Sequence, residues 1–200
     1  MISYGFHHNE SEAIKSESAM PTALGKDLLI QIKAIAVNPV DLKIKASIEG
    51  TLDHAKVLGW DAAGTVIDAG EQTELFNIGD EVFYAGDISR AACNASHQLV
   101  DERLVGKAPQ SLTAAESAAM PLTSITAWQA LFSRLKVNPD LDAGKTILII
   151  GGAGGVGSIA IQLAKKVAKL NVVTTASRSQ SEQWCQQLGA DHIINHHSDL

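Results

Sequence analysis

Cysteine and aromatic residues are scarce in this chain. Cys93 and Cys185 are the two cysteines in 200 residues. They lie far apart in sequence and neither belongs to a Cys-x-x-Cys pair. That argues against a disulfide framework and predicts two free thiols. Nine aromatics (four Phe, three Trp, two Tyr) set against 16 Gly suggest tight turns and close backbone approaches, not stacked recognition platforms. Basic residues are not in excess: 16 Lys+Arg against 22 Asp+Glu leave a net charge of −6. A general basic footprint for nucleic acid or anionic lipid is thereby excluded, although a local anion site is still allowed. No stretch approaches the ~18–20 apolar residues of a membrane span. Residues 1–20 carry Glu, His, Asn and Ser without the apolar core of a secretory signal. Together these absences predict a cytoplasmic protein that engages neither nucleic acid nor membrane.

What is present is ordinary globular material, 46% hydrophobic and 19% charged. The length suits one large domain or two small ones, and the texture changes near Pro109. Before it, residues 28–37 (LLIQIKAIAV), 64–68, 80–85 and 97–105 are short, partly alternating and bounded by Gly, Asp, Asn and Pro. This is the pattern of antiparallel strands in a small barrel or sandwich. After Pro109 a helix capped by Ser111 is expected, then an interruption at Pro121-Leu122-Thr123-Ser124, then helical spacing over 125–135. Residues 146–150 (TILII) form a continuous apolar run, which predicts a strand buried on both faces of a parallel sheet. Helical spacing over 158–170, a strand at 171–176, a helix at 181–188 closed by Gly189 and a strand at 191–195 complete the order. Strand, helix, strand, helix, strand is one mononucleotide-binding half of a doubly wound sheet.

Between the first of these strands and its helix lies Gly152-Ala153-Gly154-Gly155-Val156-Gly157. It fits G-x-G-x-x-G through Gly152, Gly154 and Gly157, in the strand-to-helix setting that gives the pattern meaning. Gly152 is expected to make the tight turn, Gly154 to admit a pyrophosphate and Gly157 to allow close helix–strand packing. The helix start, with Gly155 and Val156, then turns unpaired N–H groups toward the phosphates. Gly144-Lys145-Thr146 is not a phosphate-binding loop of the other common kind, because Pro139 stands at the first glycine position and the triplet precedes the strand. The second strand leads into Thr174-Thr175-Ala176-Ser177-Arg178-Ser179, which contains no carboxylate. A carboxylate here would bind a ribose 2′-hydroxyl, whereas Ser177 and Arg178 suit a 2′-phosphate. The expected cofactor is therefore NADPH.

Four further segments match one family pattern in order: Val37-Asn38-Pro39-Val40-Asp41, the run 58–64 (LGWDAAG), Gly79-Asp80-Glu81-Val82 and the run 121–128 (PLTSITAW). With the glycine loop, they make residues 25–200 resemble the medium-chain dehydrogenase/reductases, most closely the zinc-free quinone oxidoreductase branch. The resemblance implies a mixed β and α/β protein, with a GroES-like β-rich domain over 1–115 and the first half of a Rossmann domain over 116–200. It also implies that the 200 residues are the N-terminal part of a longer chain and that contact with a second copy comes from the missing half. In the zinc alcohol dehydrogenases three metal ligands fall at the positions of Asn38, Trp60 and Leu122, none of which suits zinc. Cys93 alone cannot rebuild the family's structural zinc site, and the pairs His7-His8 and His196-His197 read as solvated. No metal is expected.

The resemblance further implies that Asn38 lines the cleft near the nicotinamide. Asp41 and Asp61 organise the site, Tyr84 lines the substrate pocket and Thr126 contacts the cofactor. Asn38-Pro39 also reads as a strand-ending turn, Asp61 as an acceptor for backbone N–H groups, and Tyr84, Trp60 and Trp128 as packing. The function expected is NADPH-dependent reduction of a quinone or an α,β-unsaturated carbonyl by direct hydride transfer. The alternatives are a non-catalytic NADPH-binding module and, third, a zinc alcohol dehydrogenase.

Overall fold

The computed structural model describes residues 1–8, 10–50, 53–195 and 197. Of the residues singled out above, His196 and the terminal Leu200 lie outside the described residues. Two compact units cluster separately, Met1–Leu122 and Thr123–Leu200.

In the first unit the elements run β1 (Ile2–Phe6), β2 (Ile14–Glu17), β3 (Asp27–Ala36), α1 (Pro39–Ala46), β4 (Lys56–Val57), β5 (Asp61–Ala69), β6 (Glu81–Ala85), β7 (His97–Asp101), a 3-10 turn (Glu102–Leu104), β8 (Val105–Lys107) and α2 (Ala114–Ala118). An antiparallel sheet of order β7-β3-β5-β6-β8 carries the core, and a smaller sheet has order β2-β1-β4. Alternation along β3 sends Leu28 and Ile30 inward against Val66, Val82, Tyr84, Cys93 and Val100. The expected strand over 97–105 is interrupted at Glu102. That carboxylate is 1% exposed and accepts the N–H groups of Glu74 and Leu75, both at 2.8 Å, while the Lys26 ammonium stands 3.3 Å away. The Leu75 N–H contributes most to holding its pKa below the usual carboxylate range. Turning Glu102 inward to clip residues 74 and 75 breaks the extended backbone.

The cap of α2 is Thr113, not Ser111. Thr113 N–H donates to Glu116 at 2.8 Å and Glu116 N–H returns to Thr113 Oγ1 at 3.3 Å. This reciprocal pairing needs a three-residue spacing, which Ser111 does not have. The unit boundary falls at 122/123, where 115/116 was expected, because α2 packs on β3 and β5.

The later elements are α3 (Pro121–Trp128), a π-helical segment (Gln129–Arg134), β9 (Thr146–Ile149), α4 (Gly155–Lys166), β10 (Asn171–Thr175), α5 (Ser179–Leu188) and β11 (His192–Ile194). Pro121 opens α3 where an interruption was expected, since the first helical position needs no N–H. The strands of the second unit are parallel in the order β11-β10-β9, with α4 and α5 as crossovers. Gly189 closes α5 at φ +106°, as the left-handed cap position requires.

One expectation is corrected here. β9 is buried on one face among the described residues, not on two. Ile147 and Ile149 pack with Ile161, Ala164, Val172 and Cys185, but Leu148 is 55% and Ile150 81% exposed. Both crossover helices contribute side chains to the same core, so the alternate residues of the strand have no helix over them.

Candidate functional site

In the first unit, the end of β3 feeds Asn38 into the start of α1, and Pro39 occupies the first turn. Asn38 is extended (φ −124°, ψ 157°), as expected of a residue before proline. Its backbone N–H donates to the Asp41 carboxylate at 2.7 Å, and its side-chain Nδ2 donates to Asp61 Oδ2 at 2.8 Å. Asn38 therefore bridges two carboxylates. Asp61 opens β5 and is fully buried, while Asp41 is 6% exposed. The other Asp61 oxygen accepts the backbone N–H of Leu122 at 2.8 Å. Burial is the chief reason the Asp61 carboxyl is pushed above the usual range. The two hydrogen bonds oppose that shift and nearby Asp41 adds to it. Neither carboxylate has an ion-pair partner among the described residues. Asp41 Oδ1 and Trp60 Nε1 are buried and lack hydrogen-bond partners in the described structure.

Asn38 and the Leu122 N–H thus bond Asp61, and Trp60 precedes it in the chain. The three residues bring an amide, a buried indole and an alkyl chain, none of which is a zinc ligand. Among the described residues no group of three or more His, Cys, Asp or Glu can hold a metal ion. Cys93 donates its S–H to the Asp61 carbonyl at 3.4 Å. Burial, with help from Asp41 and Asp61, pushes that thiol up to about 12, which leaves it inert as a nucleophile.

Tyr84 lies elsewhere in the unit's chemistry. It is 1% exposed in the sheet core, and its hydroxyl donates to Gln98 at 2.8 Å. Gln98 in turn donates to the Ala91 carbonyl at 2.6 Å. This corrects the substrate-pocket placement: the tyrosine packs the core and spends its polar atom there. Trp60 is likewise core at 3% exposure, whereas Trp128 is half exposed and tilts against Phe132.

In the second unit the glycines of the loop after β9 differ in role from the expectation at one position. The left-handed turn is made by Gly151 (φ +73°), not by Gly152. Gly152 is needed for a different reason. A Cβ there would stand 2.0 Å from Thr174 Oγ1 and 3.0 Å from Cys185 Sγ. A Cβ on Gly157 would stand 2.4 Å from the Gly151 carbonyl oxygen, so this position does serve close packing. A Cβ on Gly154 would meet only that same oxygen, at 3.3 Å, and the residue is exposed. Gly155 and Val156 occupy the exposed first turn of α4. Gly154 caps that helix without a side-chain hydrogen bond, so the first-turn N–H groups have no side-chain cap. An exposed glycine with room above it, before a helix start without a side-chain cap, is compatible with a pyrophosphate.

The loop is pinned to β10 by Gly151 N–H, which donates to Thr175 Oγ1 at 2.8 Å. Beyond β10, Ser177 is half-buried and Arg178 is exposed at the N-terminal boundary of α5. Arg178 has no ion-pair partner among the described residues. Thr126 lies exposed on α3.

Residues 25–126 match the alcohol dehydrogenase GroES-like domain family. The chain belongs to that family. Its described folds and glycine loop place it among the medium-chain dehydrogenase/reductases. A zinc-type alcohol dehydrogenase-like protein of Staphylococcus aureus is 47% identical over 186 residues, covering 92% of this chain and 55% of that protein. A 2-methylene-furan-3-one reductase of Solanum lycopersicum is 37% identical over 193 residues, covering 92% of this chain and 48% of that one. The structure of a quinone oxidoreductase from Coxiella burnetii superposes with a TM-score of 0.83 at 28% identity, covering all of this chain and 63% of that one. The chain spans about half the length of these two curated relatives. No helix among the described residues is long and apolar enough to cross a membrane.

Proposed function

We propose that this chain belongs to an NADPH-dependent oxidoreductase that reduces quinones or α,β-unsaturated carbonyl compounds by direct hydride transfer, without zinc. The observation that carries this reading is the arrangement on Asp61. At the three positions where the resemblance implies metal ligands in the zinc enzymes, this chain has Asn38, Trp60 and Leu122, and Asn38 is a hydrogen-bonding amide fixed between two buried carboxylates. Relatives named for enone reduction and quinone reduction support the substrate class.

When bound, the reduced nicotinamide supplies the hydride. The chain's own residues must bind that cofactor and meet the negative charge that develops on the substrate oxygen. The Gly152–Gly157 loop and the start of α4 would hold the pyrophosphate, and Ser177 and Arg178 would meet the 2′-phosphate. Asn38 keeps a second amide N–H beyond the one given to Asp61. Held rigidly by Asp61 and Asp41, that N–H is a preorganised donor for a developing oxyanion, the role a Lewis acid would otherwise fill.

The test is NADPH consumption with a panel of quinones and enones, with and without chelator. Turnover that is indifferent to chelator supports the proposal. Loss of turnover with chelator and its rescue by zinc overturns the zinc-free part, and tight NADPH binding with no turnover of any carbonyl assigns the chain a binding role alone.

A further inference from the structure

Beside the glycine loop the second unit has an open surface pocket of about 410 Å³, lined by Ala153 of the loop, Arg178, Ser181, Trp184 and glutamines of α5. That volume falls in the ~300–1,000 Å³ range of small-ligand sites. The lining holds one cation, several neutral hydrogen-bonding side chains and no carboxylate, a composition suited to an anion rich in acceptor oxygens. Its large wall is Trp184. The indole is 46% exposed, yet its N–H is fastened to Ser158 Oγ at 2.9 Å. Ser158 directly follows Gly157 in α4, so the ring is tied to the same helix turn that ends the glycine loop. An exposed tryptophan is costly to leave in water without a partner, and this one is held in place against the pocket.

We infer that Trp184 is a specificity-determining residue for the 2′-phosphate of the cofactor, acting through Arg178. This rests on the NADPH reading above. An exposed guanidinium–phosphate pair is screened by water and contributes little, whereas the same pair shielded on one side contributes considerably more. In the bound state the indole, fixed by Ser158, would shield one side of the phosphate–Arg178 pair, both side chains lining the same open pocket. Trp184 is a positioning residue in this scheme, and the glutamines and Ser181 complete the hydrogen bonding of the phosphate oxygens.

The test compares dissociation constants for NADPH and NADH by calorimetry across a salt series, on wild type, Trp184→Ala and Trp184→Phe. Wild type is expected to prefer NADPH, with a preference that survives moderate salt. Trp184→Ala should lose about tenfold of that preference, and the remainder should decline steeply with salt. Trp184→Phe keeps a ring but not the N–H, so it should fall between the two; it also serves if the alanine variant does not fold. A purely structural role for Trp184 would weaken both cofactors equally and leave the salt response unchanged. That result, with the wild-type preference intact, overturns the inference while sparing the NADPH reading. A wild type that binds NADH as tightly as NADPH overturns both.

Discussion

The glycine loop makes two substitutions of one methyl group behave oppositely. In Gly152→Ala the new Cβ would lie 2.0 Å from Thr174 Oγ1, with Cys185 Sγ and Ile161 Cδ1 both at 3.0 Å. Thr174 is fully buried, and its hydroxyl donates to the Ile149 carbonyl at 2.7 Å. The threonine must move and lose that bond, or the loop must lift from β10. Overpacking costs about 1–3 kcal/mol and the lost buried hydrogen bond about 1 kcal/mol, so roughly 2–4 kcal/mol of stability should disappear. In Gly154→Ala the Cβ meets only the Gly151 oxygen at 3.3 Å, and stability should change by less than about 1 kcal/mol. That same Cβ stands where a pyrophosphate would approach, so NADPH binding should fall about tenfold or more. Urea unfolding followed by circular dichroism measures the first effect, and cofactor titration the second. A double variant, Gly152→Ala with Thr174→Ala, removes the clashing oxygen and should recover part of the loss by direct coupling. If Gly152→Ala is as stable as wild type, or if Gly154→Ala binds NADPH normally, the geometric reasoning about this loop is refuted.

Three further outcomes are expected. Arg178→Ala should weaken NADPH about ten- to a hundredfold through loss of a charge-assisted bond while leaving NADH unchanged, and equal losses for both cofactors would contradict the 2′-phosphate assignment. Asp61 has a folded pKa raised above its unfolded value, so the protonated form is favoured by folding; its contribution is greatest below the unfolded pKa and is lost as pH rises through the folded one. Stability of wild type relative to Asp61→Asn should therefore decline with rising pH through the weakly acidic range, and a flat difference in chemical-denaturation curves would show that burial does not hold this carboxyl up. Cys93 and Cys185 are both fully buried with raised pKa values, so a thiol-specific reagent should label neither in the native protein at neutral pH and both after unfolding in urea; rapid native labelling of Cys93 would disprove its inert placement.

Much of the architecture is legible in local patterns. The run at 146–150, the glycine cluster and the helical spacing behind it identify the βαβαβ half because each reflects short-range rules: strand propensity, a helix start after glycine, and the left-handed cap at Gly189. Small errors at element edges have equally local causes. Ser111 and Thr113 are both competent caps, and only the three-residue spacing to Glu116 chooses between them. The break at Glu102 could not be read in the same way, because its cause is the backbone of residues 74 and 75, distant in sequence.

The candidate site was legible as a set of positions rather than as an arrangement. The family resemblance brought Asn38, Asp41 and Asp61 under suspicion. Only folding shows that Asn38 donates to both carboxylates, that Leu122 N–H closes the other side of Asp61, and that Tyr84 turns into the core. Trp184 had no motif to mark it. A half-exposed indole tied to Ser158 becomes meaningful only once α4 and α5 lie side by side.

The absence of a carboxylate after the second strand, the side chains of Asn38, Trp60 and Leu122, none of them suited to zinc, and the glycine spacing are properties of residue chemistry, so the order of residues determined them. Burial and partnership are decided by neighbours that are remote along the chain. Tertiary structure therefore settled why Gly152 must be glycine, which face of β9 is covered, and how two buried carboxylates come to share one asparagine.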